Sequence, residues 1–167
     1  MRATEPLPLH HSWPLCETSS RFGRFIPTVA DGLGIPAEAE PDPLSLLSTR
    51  LARQSAGIWS CDLATERLEW SRAVYELFGL PREERIERGL VVALYEPHSR
   101  RAMETLRAYA IRHHRGFTLD AQIRTTGGDR RWMRLSAVPV LQEGKVVKLT
   151  GVKQDVTAAY ECRVKAS

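Results

Sequence analysis

The sequence predicts an α+β domain: a five-stranded antiparallel sheet with short helices and one long helix on one face, preceded by an N-terminal flanking helix. Three observations carry this expectation. Two short strand patterns stand near residue 60, three long ones follow Gly116, and the segments of helical period lie between the two groups. Two strands, then helices, then three hairpin-linked strands is an α+β order, and the long hairpins make the sheet antiparallel with one face on a core.

Asp42 followed by Pro43 marks a helix start, a capping side chain with proline at the first helical position. Leu44, Leu47 and Leu51 recur at helical spacing, with Leu46 beside them and Arg50 and Arg53 off the stripe, so an amphipathic helix is expected over 43–56. A strand over 57–62 holds Ile58 and Trp59, Ala64-Thr65-Glu66 turns the chain, and 67–70 returns it. Ser71 opens a short helix with Val74, Leu77 and Phe78 on one side and Tyr75 nearby; Gly79 is its stop, and Pro81 follows. Residues 82–88 are charged and predict one exposed helical turn, after which Leu90, Val91, Val92, Leu94 and Tyr95 form an apolar burst.

Pro97 to about His113 is the longest predicted helix. Met103, Leu106, Tyr109 and Ala110 form its inward stripe, Arg100, Arg101, Arg107 and Arg112 its polar side, and Gly116 ends it beyond Arg115. Phe117, Leu119, Ala121 and Ile123 then alternate with Thr118, Asp120, Gln122 and Arg124, the period of a half-buried strand. Gly127-Gly128 turns into a strand over 131–141, and Glu143-Gly144 into a last strand over 145–157. Residues 161–167 are expected to be a short tail that extends the last strand.

Residues 1–42 differ from the rest. Six of the ten prolines fall here, each removing a backbone donor, so a mostly unstructured leader is expected. A short apolar patch at Phe22, Phe25, Ile26 and Val29 could dock on a neighbour.

Composition excludes several classes. At 167 residues, 43% hydrophobic and 26% charged, the chain has the make-up of one folded domain with appendages. A net charge of +4 permits an acidic partner without demanding one. No stretch has the ~18 uncharged apolar residues of a membrane span. Glu5, Pro6, Pro8, His10 and His11 interrupt what a signal peptide needs as an apolar core. Cys16, Cys61 and Cys162 form no metal-binding spacing, and reduced thiols fit a cytoplasmic protein.

Four segments, in order, carry a family resemblance. They are Gly57-Ile58-Trp59-Ser60-Cys61-Asp62; Leu68-Glu69-Trp70-Ser71 with Tyr75-Glu76-Leu77-Phe78-Gly79-Leu80-Pro81; Gly127-Gly128-Asp129-Arg130-Arg131-Trp132; and Gly151-Val152-Lys153-Gln154-Asp155-Val156-Thr157. Together they resemble the PAS family of sensory domains with its C-terminal PAC half, over residues 57–158. Glu96-Pro97-His98-Ser99 departs from the His-Pro-x-Asp that many members carry at the start of the long helix. The resemblance implies five strands curled around short helices, with a space that holds haem, flavin, a small metabolite or nothing. It also implies output through flanking helices and dimer contacts. In such a domain the terminal Asp155 and Thr157 couple the sheet to the output, and Leu44, Leu47 and Leu51 would pack across a dimer or onto a partner.

The cofactor is left open. Flavin photochemistry through a cysteine is disfavoured, because 87–95 holds no Cys and the chain holds no Asn at all. Covalent attachment of a chromophore would need a Cys near the long helix, where none stands. Haem is disfavoured because the position of its His falls on Ala102 or Met103, while His98, His113 and His114 stand at the helix ends. What remains is an apolar pocket or a filled core, with Ile58, Tyr75, Leu94, Met103, Leu106, Leu119, Ala121, Met133, Leu135 and Ala137 as inward candidates. Ser60, Cys61 and Arg134 are conceivable polar groups for such a pocket.

No catalytic constellation is legible: no nucleophile motif, no phosphate loop after Gly127-Gly128 and no H-E-x-x-H. Only nine residues follow 158, so a stand-alone domain rather than an enzyme is expected. The arginines of the long helix form a solvated face rather than a nucleic-acid groove. The expected partner is a signalling protein, such as a histidine kinase with its own PAS domain. A small-molecule sensor is the alternative, and a homodimer is expected in either case.

Overall fold

A computed structural model describes residues 10–22, 49–82 and 84–165. Leu44, Leu47, Phe25, Ile26 and Val29 lie outside the described residues. The elements are β1 (His10–Pro14), α1 (Thr18–Phe22), β2 (Ala56–Asp62), β3 (Leu68–Trp70), α2 (Arg72–Phe78), α3 (Arg88–Ala93), α4 (Pro97–His113), β4 (Arg115–Arg124), β5 (Arg130–Gln142), β6 (Lys145–Asp155) and α5 (Thr157–Lys165). They build one antiparallel sheet in the order β1-β4-β5-β6-β2-β3.

The sheet therefore has six strands where the sequence predicts five. The extra one is β1, inside the segment expected to be unstructured. It pairs with β4 from His10 opposite Leu119 to Pro14 opposite Arg115. Proline closes this strand instead of forbidding it, since an edge strand tolerates a missing donor at its end. Trp13 anchors it. Its ring lies over Gly116, where an added Cβ would meet ring carbons at 2.3 Å, and its indole N–H donates to Thr118 Oγ1 at 3.1 Å. Beyond β1 the same edge of β4 is taken up by residues 94–96, through Glu96 N–H to Gln122 O and Arg124 N–H to Leu94 O.

Local signals explain the helices. Gly79 closes α2 in the left-handed region (φ 70°), and Arg131 donates to the carbonyls of Glu76 and Leu77 at its end. Ser71 precedes α2 but does not cap it with its side chain; its Oγ accepts the Ile58 N–H instead, tying helix to strand. Asp62 folds the β2–β3 turn by accepting from the N–H groups of Ala64 and Thr65 and from the Thr65 hydroxyl. Those hydrogen bonds hold its carboxyl below the usual range. Pro97 starts α4, and His114 ends it in the left-handed region.

Two expectations are corrected here. Helix does not cover 82–88: residues 85–87 are irregular and α3 begins only at Arg88. The C-terminal residues do not extend the last strand, because α5 starts at Thr157.

The sheet is covered on both faces. Its inner face packs α2, α3 and α4 over Phe78, Phe117, Leu119, Ala121, Ile123, Met133, Leu135, Ala137 and Leu149, all buried. Each large apolar side chain hidden this way stabilises the fold by about 1.5–3 kcal/mol. The outer face carries a second cluster of Trp13, Phe22, Leu51, Ala56 and Val152, with Ile58 and Val138 against it. Leu51, within the helical residues 49–53, is thus buried on the outer face by its own chain.

Candidate functional site

The alternation of β2 decides what faces inward. Trp59 and Cys61 point into the core, so Ile58 belongs to the outer cluster and is not a pocket residue. Gly151 lies opposite both Trp59 and Ala137 in the register. A Cβ on it would come within 1.9 Å of the Ser136 carbonyl oxygen, so only glycine fits. The Trp59 indole reaches the same carbonyl, its N–H donating at 3.3 Å.

Between sheet and helices lies a cavity of about 50 Å³, lined by Trp59, Cys61, Leu68, Arg88, Val91, Val92, Tyr95, Met103, Arg107, Phe117, Leu135, Leu149 and Lys153. Of the ten sequence candidates, Met103 and Leu135 line it. Leu119, Ala121, Met133 and Ala137 are fully packed core, and Leu94 and Leu106 pack against that core from its edge. Tyr75 is half-buried, sets its ring edge-on to Trp70 at 5.2 Å, and lines a separate surface hollow.

Lys153 was not anticipated. It is 5% exposed, and its Nζ lies 5.1 Å from the Trp59 ring centre, 5.2 Å from Trp70 and 5.0 Å from Phe78. Ring faces favour the ammonium. Burial opposes it and lowers the pKa to about 7, and the neighbouring Cys61 raises it. Burial pushes the Cys61 thiol up, with Arg107 and Arg88 pulling against it. Arg88 is engaged by Glu104, with Nη2 at 2.6 and 2.7 Å from the two carboxylate oxygens. The Trp70 indole N–H, beside Lys153, is the one buried side-chain donor or acceptor among the described residues without a partner.

A porphyrin or an isoalloxazine needs a pocket of several hundred Å³. Neither fits a cavity of about 50 Å³ in this conformation. His98, His113 and His114 are all exposed, and among the described residues no group of His, Cys, Asp and Glu could hold a metal. No helix there is long and apolar enough to cross a membrane.

The outer face holds the second part of the site. Arg134 does not enter the cavity: it grips Asp120 across β4 and β5 at 2.7 and 2.9 Å. Asp120 is 1% exposed and also accepts the Tyr160 hydroxyl of α5 at 2.7 Å. The Asp120 bonds hold the Arg134 guanidinium above its usual range against the effect of desolvation. Tyr160 stacks on Trp132 at 4.0 Å and 7°.

Asp155 and Thr157 lie where β6 becomes α5. Asp155 Oδ1 accepts the Thr157 N–H at 2.9 Å, and Thr157 Oγ1 accepts the Trp132 N–H at 3.0 Å. The Asp155 N–H donates to Ser55 O at 2.8 Å, so one residue touches the chain entering the sheet and the chain leaving it.

A six-stranded antiparallel sheet packs helices over a small cavity and sends its last strand directly into a helix, an α+β module. The PAS-fold family profile matches residues 67–153, more than half of the chain. The chain belongs to the PAS family.

Among solved structures, an RNA-binding light-oxygen-voltage receptor is similar at 18% identity and TM-score 0.54, covering 66% of this chain and 34% of that one. This chain thus spans about a third of that receptor. A sensory box histidine kinase/response regulator from Burkholderia thailandensis matches at 18% identity and TM-score 0.61, covering 71% and 89%. The N-terminal domain of a diguanylate cyclase with a PAS/PAC sensor from Marinobacter aquaeolei matches at 17% identity and TM-score 0.58, covering 63% and 98%. At these identities the likeness is one of fold. No curated protein matches the sequence.

Proposed function

We propose that the chain is a non-catalytic PAS sensory module of the cytoplasm. It regulates a signalling protein, such as a histidine kinase or another PAS-containing protein, through its flanking segments. The single observation that carries this reading is the attachment of α5 to the sheet. Asp155 and Thr157 tie the helix start to β5, while Tyr160 reaches the buried Asp120. Any change of sheet curvature is thereby delivered to an exposed helix. The fold is shared with domains that sit in a histidine kinase and a diguanylate cyclase, which supports a signalling partner. The flanking helix expected from Leu44 would make the dimer or partner contact, with Leu51 as its inner anchor.

The test is Asp155→Ala. It removes the acceptor for the Thr157 N–H and leaves both cores intact. Circular dichroism should be unchanged while regulation of the copurified signalling protein shifts. Unchanged regulation in a folded variant, or recovery of no signalling protein with the parent chain, would overturn the reading.

A second reading, a small-molecule sensor, is favoured by one observation: the cavity is not purely apolar but receives Lys153 and Arg107.

A further inference from the structure

We propose that the inner cavity binds a small carboxylate monoanion of the size of formate or acetate, held between Lys153 of β6 and Arg107 of α4. This names the ligand class of the second reading above and rests on it.

Charge balance is the first argument. Three cationic side chains line the cavity: Arg88, Arg107 and Lys153. Arg88 is neutralised by Glu104 at 2.6 Å. Neither Arg107 nor Lys153 has a carboxylate within ion-pair distance among the described residues. A lysine 5% exposed with no anionic partner is a costly arrangement for a core unless something completes it. The three rings stabilise the ammonium from their faces, and no protein carboxylate balances its charge. Arg107, which also hydrogen-bonds the Cys61 thiol, and Lys153 bring only charged donors to the same cavity, and a carboxylate is the acceptor-only group that matches them.

Size is the second argument. A guest atom the size of water needs about 10–15 Å³ of this kind of volume. A cavity of about 50 Å³ then admits about three or four heavy atoms, which is formate or acetate. Met103, Leu135, Leu149, Val91 and Val92 supply an apolar wall for a hydrogen or a methyl group and favour a carboxylate over a fully hydrated inorganic ion.

Access is the third. A surface hollow of about 710 Å³ beside the β2–β3 turn shares Leu68 and Arg88 with the cavity. Arg88, held by Glu104 and 3.9 Å from Glu66, stands at the boundary between them.

The binding should depend on pH through Lys153, whose pKa lies near 7. Cys61 of β2 and Tyr95 also face the cavity, and burial pushes both up, so they stay neutral through the window; Arg88 and Arg107 face it from α3 and α4.

The experiment uses the full chain, dialysed free of carboxylates. Calorimetry and thermal unfolding are followed with sodium formate and sodium acetate, with acetamide as the uncharged control and benzoate as the size control. Ionic strength is fixed with sodium chloride. Formate or acetate should bind saturably and raise Tm; acetamide and benzoate should not. Affinity should fall more than tenfold between pH 6.5 and pH 9. Lys153→Met should abolish the response, and Arg107→Gln, a change at a half-buried position, should weaken it at least tenfold with unchanged near-UV circular dichroism. If Lys153→Met fails to fold, Arg107→Gln decides. The proposal is overturned if acetate and formate do no more than chloride, if acetamide or benzoate acts as they do, or if the folded variants respond like the parent. None of these outcomes touches partner regulation by Asp155, which is read in a separate assay.

Discussion

Replacing Lys153 by Met tests the electrostatics of the core directly. The lysine is buried beneath three aromatic rings, and its pKa falls from 10.5 to about 7 on folding. A depressed lysine pKa means that between those two values the unfolded chain holds a proton that the folded chain does not. Stability therefore rises with pH across this window, by about 1.4 kcal/mol for each pH unit. Below the window both states are protonated and the dependence vanishes. From pH 7 to pH 9 the parent protein should gain about 2–3 kcal/mol from this one group. Methionine has similar length and no charge, so Lys153→Met should be more stable than the parent near pH 7. Its advantage should shrink by about 1.4 kcal/mol per unit as pH rises. Urea denaturation of both proteins at pH 6, 7, 8 and 9, in a carboxylate-free buffer, reads this as a difference, so the remaining titrating groups largely cancel. A constant difference across the series would refute the reasoning, because it would mean that the ring faces hold the ammonium as well as water does.

Three further outcomes follow from the same geometry. Tyr160→Phe keeps the stack on Trp132 but takes a hydroxyl from a buried carboxylate that Arg134 still grips; a loss of about 1.5–3 kcal/mol in urea denaturation is expected, with faster amide exchange confined to α5. Gly116→Ala drives a Cβ into the Trp13 ring, so β1 should detach, seen as a change in tryptophan emission and early proteolysis ahead of residue 23, while the inner core stays folded. Ser99→Ala removes the acceptor of the Gln122 N–H inside the packing of α4 on β4 and should lower stability by about 1–3 kcal/mol in thermal unfolding.

The parts of the fold that the sequence foretold are those where local chemistry and tertiary demand agree. Phe117, Leu119, Ala121 and Ile123 all turn inward as their alternation requires, and Pro97 starts the long helix as expected, while His114 rather than Gly116 ends it, Gly116 already lying in β4. Errors gather where both sides of an element are covered. On β2, Ile58 and Trp59 are both apolar, so nothing local tells which faces the helices; the outer cluster of Trp13 and Phe22 takes Ile58. On β6, no face was legible in the sequence: Lys153 turns toward the helices and Val152 joins the outer cluster. Both faces of β6 are covered, because it is an interior strand with a second cluster on its outer face. β1 was obscured by the prolines around it, although Trp13, next to Pro14, was the available signal. α5 was missed because the Asp155-x-Thr157 spacing was taken for a strand end when it is also a helix start.

The alternation of β6 places residues on both faces of the sheet. Lys153 faces the cavity, and its neighbour Gln154 faces outward, opposite Arg134 in the register. Arg134 grips Asp120, and Asp120 accepts from Tyr160, so three side chains tie the outer face of β4 and β5 to the exit helix. If the cavity takes the proposed anion, a charged Lys153 and a neutral one would be accommodated at different distances from the rings that now stand 5.0–5.2 Å from its Nζ. A sheet hydrogen-bonded from β1 to β3 accommodates such a difference by bending rather than by breaking pairs. Asp120 is too deeply buried to exchange its partners for water, since removing one partner of such a pair costs about 3–5 kcal/mol. Under the proposed function, Tyr160 is the contact through which a change of the sheet would reach α5.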